Sequence, residues 1–337
     1  MNITIKDIAR EAGVSIATVS NVINGTGRVS EFTARKVKEI VKRHNYTSNM
    51  LARGLKNKKF QLISIIVPYL EKGKFEDNLF FWQLLNGVET GAEEQKFNVM
   101  LTGIENDDDL SFVNKRYIDG LIVVGINEKS LLFENVLRLN IPCVFMDSYI
   151  NNKDIYQLYN NDLMGGYLGT KHLIDQGHRK IMLVAGNLGN RGVDYQRWLG
   201  YRRALKETGI PYDKELVMEG EETMAGGYYA AQRIFSKRDN ITGVFILSDI
   251  GAIGLIRGLK EAGMAVPDDI SVVGYDDIFY TNYMIPSLTT VKQDIYKKGR
   301  TAVRLLLAQV NEEQKVEEKK IILPVELKIR ESTSKVK

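Results

Sequence analysis

Hydrophobic positions along the chain change their period once, near residue 60. Before that point they recur at spacings of three and four, as on one face of a helix. In TIKDIAREAGVSIATVSNVIN, residues 4–24, Ile8, Ala9 and Ala12 form one apolar face and Val19, Val22 and Ile23 a second. Thr4 followed by Asp7 has the spacing of a helix start, and Gly13 marks a stop. Ser15 marks a second start, and Asn24-Gly25 a second stop. The pattern predicts two short helices joined by a tight turn, then a third over EFTARKVKEIVKRHNY. Helices this short are marginal alone, so they must bury one another.

Beyond residue 60 the apolar runs become continuous and rich in β-formers: QLISIIVP, FNVMLTG, GLIVVG, PCVFMD, KIMLVAG, ITGVFILSD and DISVVGYDD, with a late pair LTTVKQD and IILPVELKI. Amphipathic stretches such as FFWQLLNGVETGAEEQ, GYLGTKHLIDQG and DIGAIGLIRGLKEAG separate them. Continuous apolar strands alternating with helices predict an α/β body of parallel sheets covered on both faces. At 337 residues the chain is too long for one core. The charged patch NEEQKVEEKK reads as a solvated helix end and loop.

Charge divides the chain at the same point as hydrophobic period. Residues 1–60 carry twelve Lys and Arg against four Asp and Glu, a net +8, whereas the remainder carries −4 within a whole-chain balance of +4. A basic arm on an acidic body is the electrostatic footprint of a nucleic-acid binder. The second helix leaves Ile16, Ala17, Ser20 and Asn21 outside, a small uncharged set suited to base edges in a major groove. Spacing alone also fits a generic helical hairpin with a polar outer face; charge favours the nucleic-acid reading.

Other chemistry is sparse. No run approaches the ~18 apolar residues of a membrane span and no signal core opens the chain, so a cytoplasmic protein is expected. Cys143 in IPCVFMD reads as a buried strand thiol. His44, His172 and His178 lack ligand spacing, so neither a metal nor a cofactor is expected. GNLGNRG lacks the GxGxxG spacing and no P-loop or nucleophile–histidine pairing stands out, which argues against an enzyme.

The opening stretch, ARGLK within NMLARGLKNKK, and then YIDGLIVVG, HLIDQGHRKIMLVAG, VPDDISVVGYDD and IPSLTTVKQD together resemble the lactose/galactose repressor (LacI/GalR) family of bacterial transcription regulators, over roughly residues 3–332. The resemblance implies a helix-turn-helix headpiece at 1–46, a hinge helix at 47–59, and an effector-binding and dimerisation body at 60–332 followed by a short tail. The body is expected to be two doubly wound, periplasmic-binding-protein-like subdomains, one of 60–160 plus 291–320 and one of 161–290 plus 321–332. A homodimer on a pseudo-palindromic double-stranded operator is implied, because the leucine-heptad tail of tetrameric members is missing. A small-molecule effector, a sugar or related metabolite, is expected in the cleft. A phosphocarrier co-regulator is the alternative within the family; a transporter's solute receptor is a more distant one, and would need a secretory signal in place of the basic arm.

Site residues follow from the same resemblance. On the headpiece Thr4, Ser15, Thr18 and Arg28 join Ile16, Ala17, Ser20 and Asn21 as the DNA-binding set. In the hinge Asn49 caps, Arg53 and Lys56 meet phosphates, and Leu55 is the wedge that kinks the central base step. Arg197 in DYQRWLGY and Asp276 in GYDD occupy the positions that grip the family's effectors, with Arg191 and Asn160 as weaker matches. Phe80, Phe81 and Trp82 are placed to stack on the ligand or to pack in the core. Three departures stand out: Asn160 where many relatives have aspartate, Glu222 where an aromatic often closes the pocket, and the segment ENDDDLSFVNKRYIDG, which is shorter than the usual stretch.

Overall fold

A computed structural model describes residues 3–44, 46, 59–68, 79–104, 110–115, 117–189, 191–237, 241–311 and 318–336. The chain divides into two units, Met1–Gln61 and Leu62–Lys337. In the first, helices α1 (Ile5–Ala12), α2 (Ile16–Asn24) and α3 (Glu31–Arg43) enclose a small core in which Ile8, Val19 and Val37 are fully buried. Gly13, at φ 70, turns the chain between α1 and α2 in a conformation that costs glycine little. Ser15 and Ser30 cap α2 and α3 by accepting the Thr18 and Thr33 amides at 3.1 and 3.2 Å. Arg43 and His44 hold the end of α3 to α1 through Glu11, at 2.9 and 2.8 Å. The expected hinge lies, apart from Lys59, outside the described residues, and with it Asn49, Arg53, Leu55 and Lys56.

The second unit is built on two six-stranded sheets. The strands are β1 (Leu62–Pro68), β2 (Asn98–Ile104), β3 (Gly120–Val124), β4 (Cys143–Met146), β5 (Tyr156–Asn160), β6 (Ile181–Ala185), β7 (Val217–Glu219), β8 (Gly243–Ile246), β9 (Ser271–Asp276), β10 (Thr289–Gln293), β11 (Lys320–Leu323) and β12 (Val325–Lys328). Their spatial orders are β11-β5-β4-β3-β1-β2 and β12-β10-β9-β8-β6-β7. Every pairing is parallel except β10 with β12. Side chains alternate between two apolar layers on each sheet: Ile63, Ile65 and Val67 enter one layer while Ile66 enters the other, and Val244 and Ile246 oppose Phe245 in the same way. Strands β3 and β6 are buried at every position because helices cover both faces.

Chain crossings between the sheets fall at residues 160–162, 293–295 and 323–325. Two expected boundaries therefore move. Residues 291–293, expected in the first subdomain, belong to β10 in the second sheet, and 321–323, expected in the second, pair with β5 in the first. Pro324 splits the run IILPVELKI into two strands of different sheets, which hydrophobicity alone does not reveal. Strands β5 and β7 were not expected, since YQLYN is only half apolar and VME is a single short stretch.

Helices α7 (Asp162–Asp175) and α8 (Val193–Glu207) set the geometry of the cleft. They cross at Gly166 and Gly200, where a Cβ on either glycine would strike the backbone of the other helix. That close approach brings Arg197 on α8 against Asp162 at the start of α7. Helix α11 (Ile295–Val310), which follows the second crossing, packs its Ile295, Ala302 and Leu306 into the first sheet's core.

Candidate functional site

On the headpiece, α2 presents Ile16 and Ala17 as exposed side chains near its N-terminus, with Thr18, Ser20 and Asn21 half-buried and Arg28 exposed beyond it. Exposure of an isoleucine at 45% on a helix of two and a half turns leaves an apolar side chain without a partner in its own unit. Thr4 and Ser15 are engaged as caps: Thr4 bonds Asp7 through both its amide and its hydroxyl, and the Ser15 hydroxyl meets that of Thr18 at 2.9 Å. Asn21 lies beneath the turn that ends α2, where a Cβ at Gly27 would stand 2.8 Å from its Nδ2. Among the positions expected on the outer face of α2, Ile16 and Ala17 are therefore the most exposed.

The body holds a cavity of about 310 Å³ lined from both sheets. Its polar residues sit at the carboxyl ends of parallel strands, where open α/β sheets place their ligands. Asp147 follows β4, Ser248 follows β8, Asp276 ends β9 and Gln293 ends β10. Phe80 and Phe81, on the helix α4 over Leu79–Glu94, supply apolar wall with Ile126, Val193, Leu247 and Ile250.

Arg197 is the buried centre of this site. It is 5% exposed, donates Nε–H to Asp162 Oδ1 at 2.9 Å and Nη1–H to the Leu247 carbonyl at 2.8 Å, and lies 3.5 Å over the Tyr275 ring. Its Nη2 has no partner among the described residues, so it remains available to a ligand. Tyr149 and Tyr275 add hydroxyl donors to Asp162, at 2.6 and 3.1 Å. Asp194 accepts the backbone amides of Gly186 and Asn187, at 2.8 and 3.0 Å.

In the cavity lining, Gln293 joins three neighbours. Its Nε2 donates to Asp276 Oδ1, and its Oε1 accepts from Lys298 Nζ at 2.9 Å and from Asn160 Nδ2. Lys298, only 1% exposed, completes a bidentate pair with Asp147 at 3.0 and 2.9 Å. Burial pushes Asp276 up to about 6 although Arg197 pulls it down, and burial likewise raises Asp147 and Asp194 against the pull of Lys298 and Arg197. Glu222, open to solvent at the cleft mouth, moves in the same direction through the surrounding walls and the charge of Asp194.

Of the expected effector residues, Phe80, Phe81, Arg197, Glu222 and Asp276 line the cavity. Three do not. Asn160 is fully buried behind it, its side chain joined to the site through Gln293; Arg191 is exposed on a loop at φ 52; Trp82 points away at 57% exposure, because helical geometry turns successive side chains by about 100°. Asp147, Asp194, Gln293 and Lys298 went unrecognised in the sequence. An acid or amide at the carboxyl end of each parallel strand was the available signal for Asp147 and Gln293.

Residues 4–49 match the bacterial regulatory proteins of the lacI family, and residues 170–333 match a periplasmic binding protein-like domain. The chain is 36% identical over 315 residues to the HTH-type transcriptional repressor PurR of Vibrio atlanticus, covering 92% of each chain. It superposes on a lac repressor dimer solved with operator and the anti-inducer ONPF with a TM-score of 0.86, at 27% identity, over 99% of this chain and 100% of that one. A LacI-family regulator from Enterococcus faecium with bound ribose gives 0.72 at 30% identity, over 82% of this chain and 100% of that one. No helix among the described residues is long and apolar enough to cross a membrane. A capped helical pair with an exposed outer face, a ligand-sized cleft between two sheets, and likeness across nearly the whole sequence converge: the chain belongs to the lacI family of bacterial regulatory proteins and is a DNA-binding transcriptional regulator.

Proposed function

We propose that this regulator is a homodimeric repressor whose operator affinity is set by a sugar-like ligand in the cleft. The observation that carries the ligand is Arg197: a guanidinium 5% exposed, tied down at two nitrogens, with the third open toward a cavity that Asp276 also lines. Forked donors and a facing carboxylate suit vicinal hydroxyls, and the Phe80 and Phe81 rings suit the apolar face of a sugar ring. Ribose in the Enterococcus faecium relative fits the same class. Because the cavity is lined from both sheets, a ligand that binds the closed cleft more tightly than the open one shifts the balance between the two.

Dimerisation is supported by an exposed apolar patch after β9, where Phe279, Tyr283 and Ile285 are 61%, 70% and 93% exposed. In the hinge, Leu55 is assigned as the minor-groove wedge, with Arg53, Lys56 and Asn49 securing its ends. The test joins two measurements: binding-site selection from randomised DNA, then operator titration with a panel of sugars while light scattering reports the oligomer. A two-fold-symmetric site bound by a dimer, with affinity changed by one sugar, is expected. A monomeric complex, or an affinity indifferent to every polyol tested, overturns this reading.

A further inference from the structure

Three carboxylates of the cleft lack a cation. Arg197 is paired with Asp162 and Lys298 with Asp147, so those charges are already met. Asp194, Glu222 and Asp276 line the same cavity, and none of them forms an ion pair among the described residues. Asp276 is 8% exposed; its Oδ1 accepts from Gln293, while its Oδ2 meets no donor among the described residues. Asp194, also 8% exposed, gives Oδ2 to two backbone amides and leaves Oδ1 open.

Asp194 and Glu222 are neighbours. Both lie against Gly186, where a Cβ would stand 2.7 Å from Asp194 Oδ2 and 2.8 Å from Glu222 Cδ. A side chain at 186 would push the two apart, so the glycine lets two acids share one wall of the cleft. The surrounding walls raise both, and the charge of Asp194 raises Glu222 further. A neutral polyol closing over this wall would supply hydroxyl donors but leave the two acids to stay ionised together only at a cost, whereas a protonated amine lets both ionise. An anionic ligand would add a further like charge beside three acids.

Resting on the regulator reading above, we infer that the ligand is an amino sugar, its protonated amine seated between Asp194 and Glu222 and its ring hydroxyls held by Arg197 and Asp276. The cavity, near the small end of ligand pockets, suits one ring. Glu222 then determines specificity: it adds the second carboxylate that distinguishes an amine from a hydroxyl.

The test uses the full-length protein and two matched sets: glucosamine, glucose and glucuronate, and galactosamine, galactose and galacturonate. Calorimetry near neutral pH, with the amine protonated, measures binding, and operator affinity is followed in parallel. In at least one set the amine should bind about tenfold or more tighter than the neutral sugar, and the acid should not bind. Glu222→Gln should shrink the ratio of amine to neutral-sugar affinity to a few-fold, and Asp194→Asn should act likewise. The inference is overturned if the neutral or acidic member binds as tightly as the amine in both sets, if none of the six binds, or if the preference survives both substitutions. A neutral sugar that moves operator affinity without an amine advantage defeats the amino-sugar assignment alone; an amine that binds tightly yet leaves operator affinity unchanged defeats the switch alone.

Discussion

The side-chain amides of Asn160 and Gln293, 133 positions apart, are hydrogen-bonded to each other beside two of the three chain crossings. Gln293 also supports Asp276 and accepts from Lys298, whereas Asn160 Oδ1 meets no partner. Removing the two amides should therefore have unequal cost. Gln293→Ala is expected to lose about 2–4 kcal/mol and to weaken ligand binding, because it strips three buried groups of a partner. Asn160→Ala should lose only about 1 kcal/mol. Urea denaturation of both variants checks the order; equal losses would contradict it.

Buried ion pairs make some substitutions poor probes of the ligand. Lys298→Met leaves Asp147 uncompensated and should destabilise the body by about 3–5 kcal/mol, most of it recovered in the Asp147→Asn/Lys298→Met double variant. Arg197→Ala strands Asp162, which is 1% exposed, so it should lose ligand and a comparable amount of stability together. A chemical-denaturation cycle distinguishes the two cases.

Stability should depend on pH in opposite senses at two places. Asp276, raised from 3.8 to about 6, keeps its proton in the folded state where the unfolded chain has lost it. Its contribution is complete below the unfolded value and is lost as pH rises through about 6. Asp276→Asn keeps an acceptor for Gln293 and should gain on the order of 2 kcal/mol at neutral pH, but nothing near pH 4. His172 and His178 are lowered from 6.5 by burial, and bond the Thr333 hydroxyl and the Ser334 carbonyl at 2.9 and 3.1 Å. Their contribution is present above pH 6.5 and is lost as pH falls through their lowered values. His178→Gln should weaken acid destabilisation, as read from urea midpoints across that range.

On the headpiece, Ala17→Gln should redirect operator preference with little effect on folding, since Ala17 is exposed. Asn21→Arg should redirect it only at a cost in stability, because Asn21 lies under the Gly27 turn. Ser15→Ala should cost about 1 kcal/mol by removing the cap of α2. Selection on randomised DNA, paired with thermal unfolding of each variant, tests all three.

Local chemistry made some of this legible in the sequence. The caps Ser15 and Gly13 carry their own physical signature, and the apolar strand runs announce burial on both faces. Arg197 and Asp276 were legible through the motifs around them. Asp147 and Asp194 were not, because a single acid after a strand or early in a helix looks the same whether it faces solvent or a cleft. Which sheet receives β10 or β11 is likewise not a property of either strand: β10 is set by its pairing with β9 and β12, and β11 by its pairing with β5 more than a hundred residues away.

Strands β11 and β12 are neighbours in sequence, separated by Pro324 alone, yet each closes the edge of a different sheet. Lys320–Lys328 thus supplies an edge strand to both halves of the body. During synthesis both halves wait on it: until this segment leaves the ribosome, Asn160 on β5 and Gln293 on β10 each sit at an open sheet edge. A polypeptide that terminates before Lys320 would therefore yield two incomplete halves, with no intact one among its products.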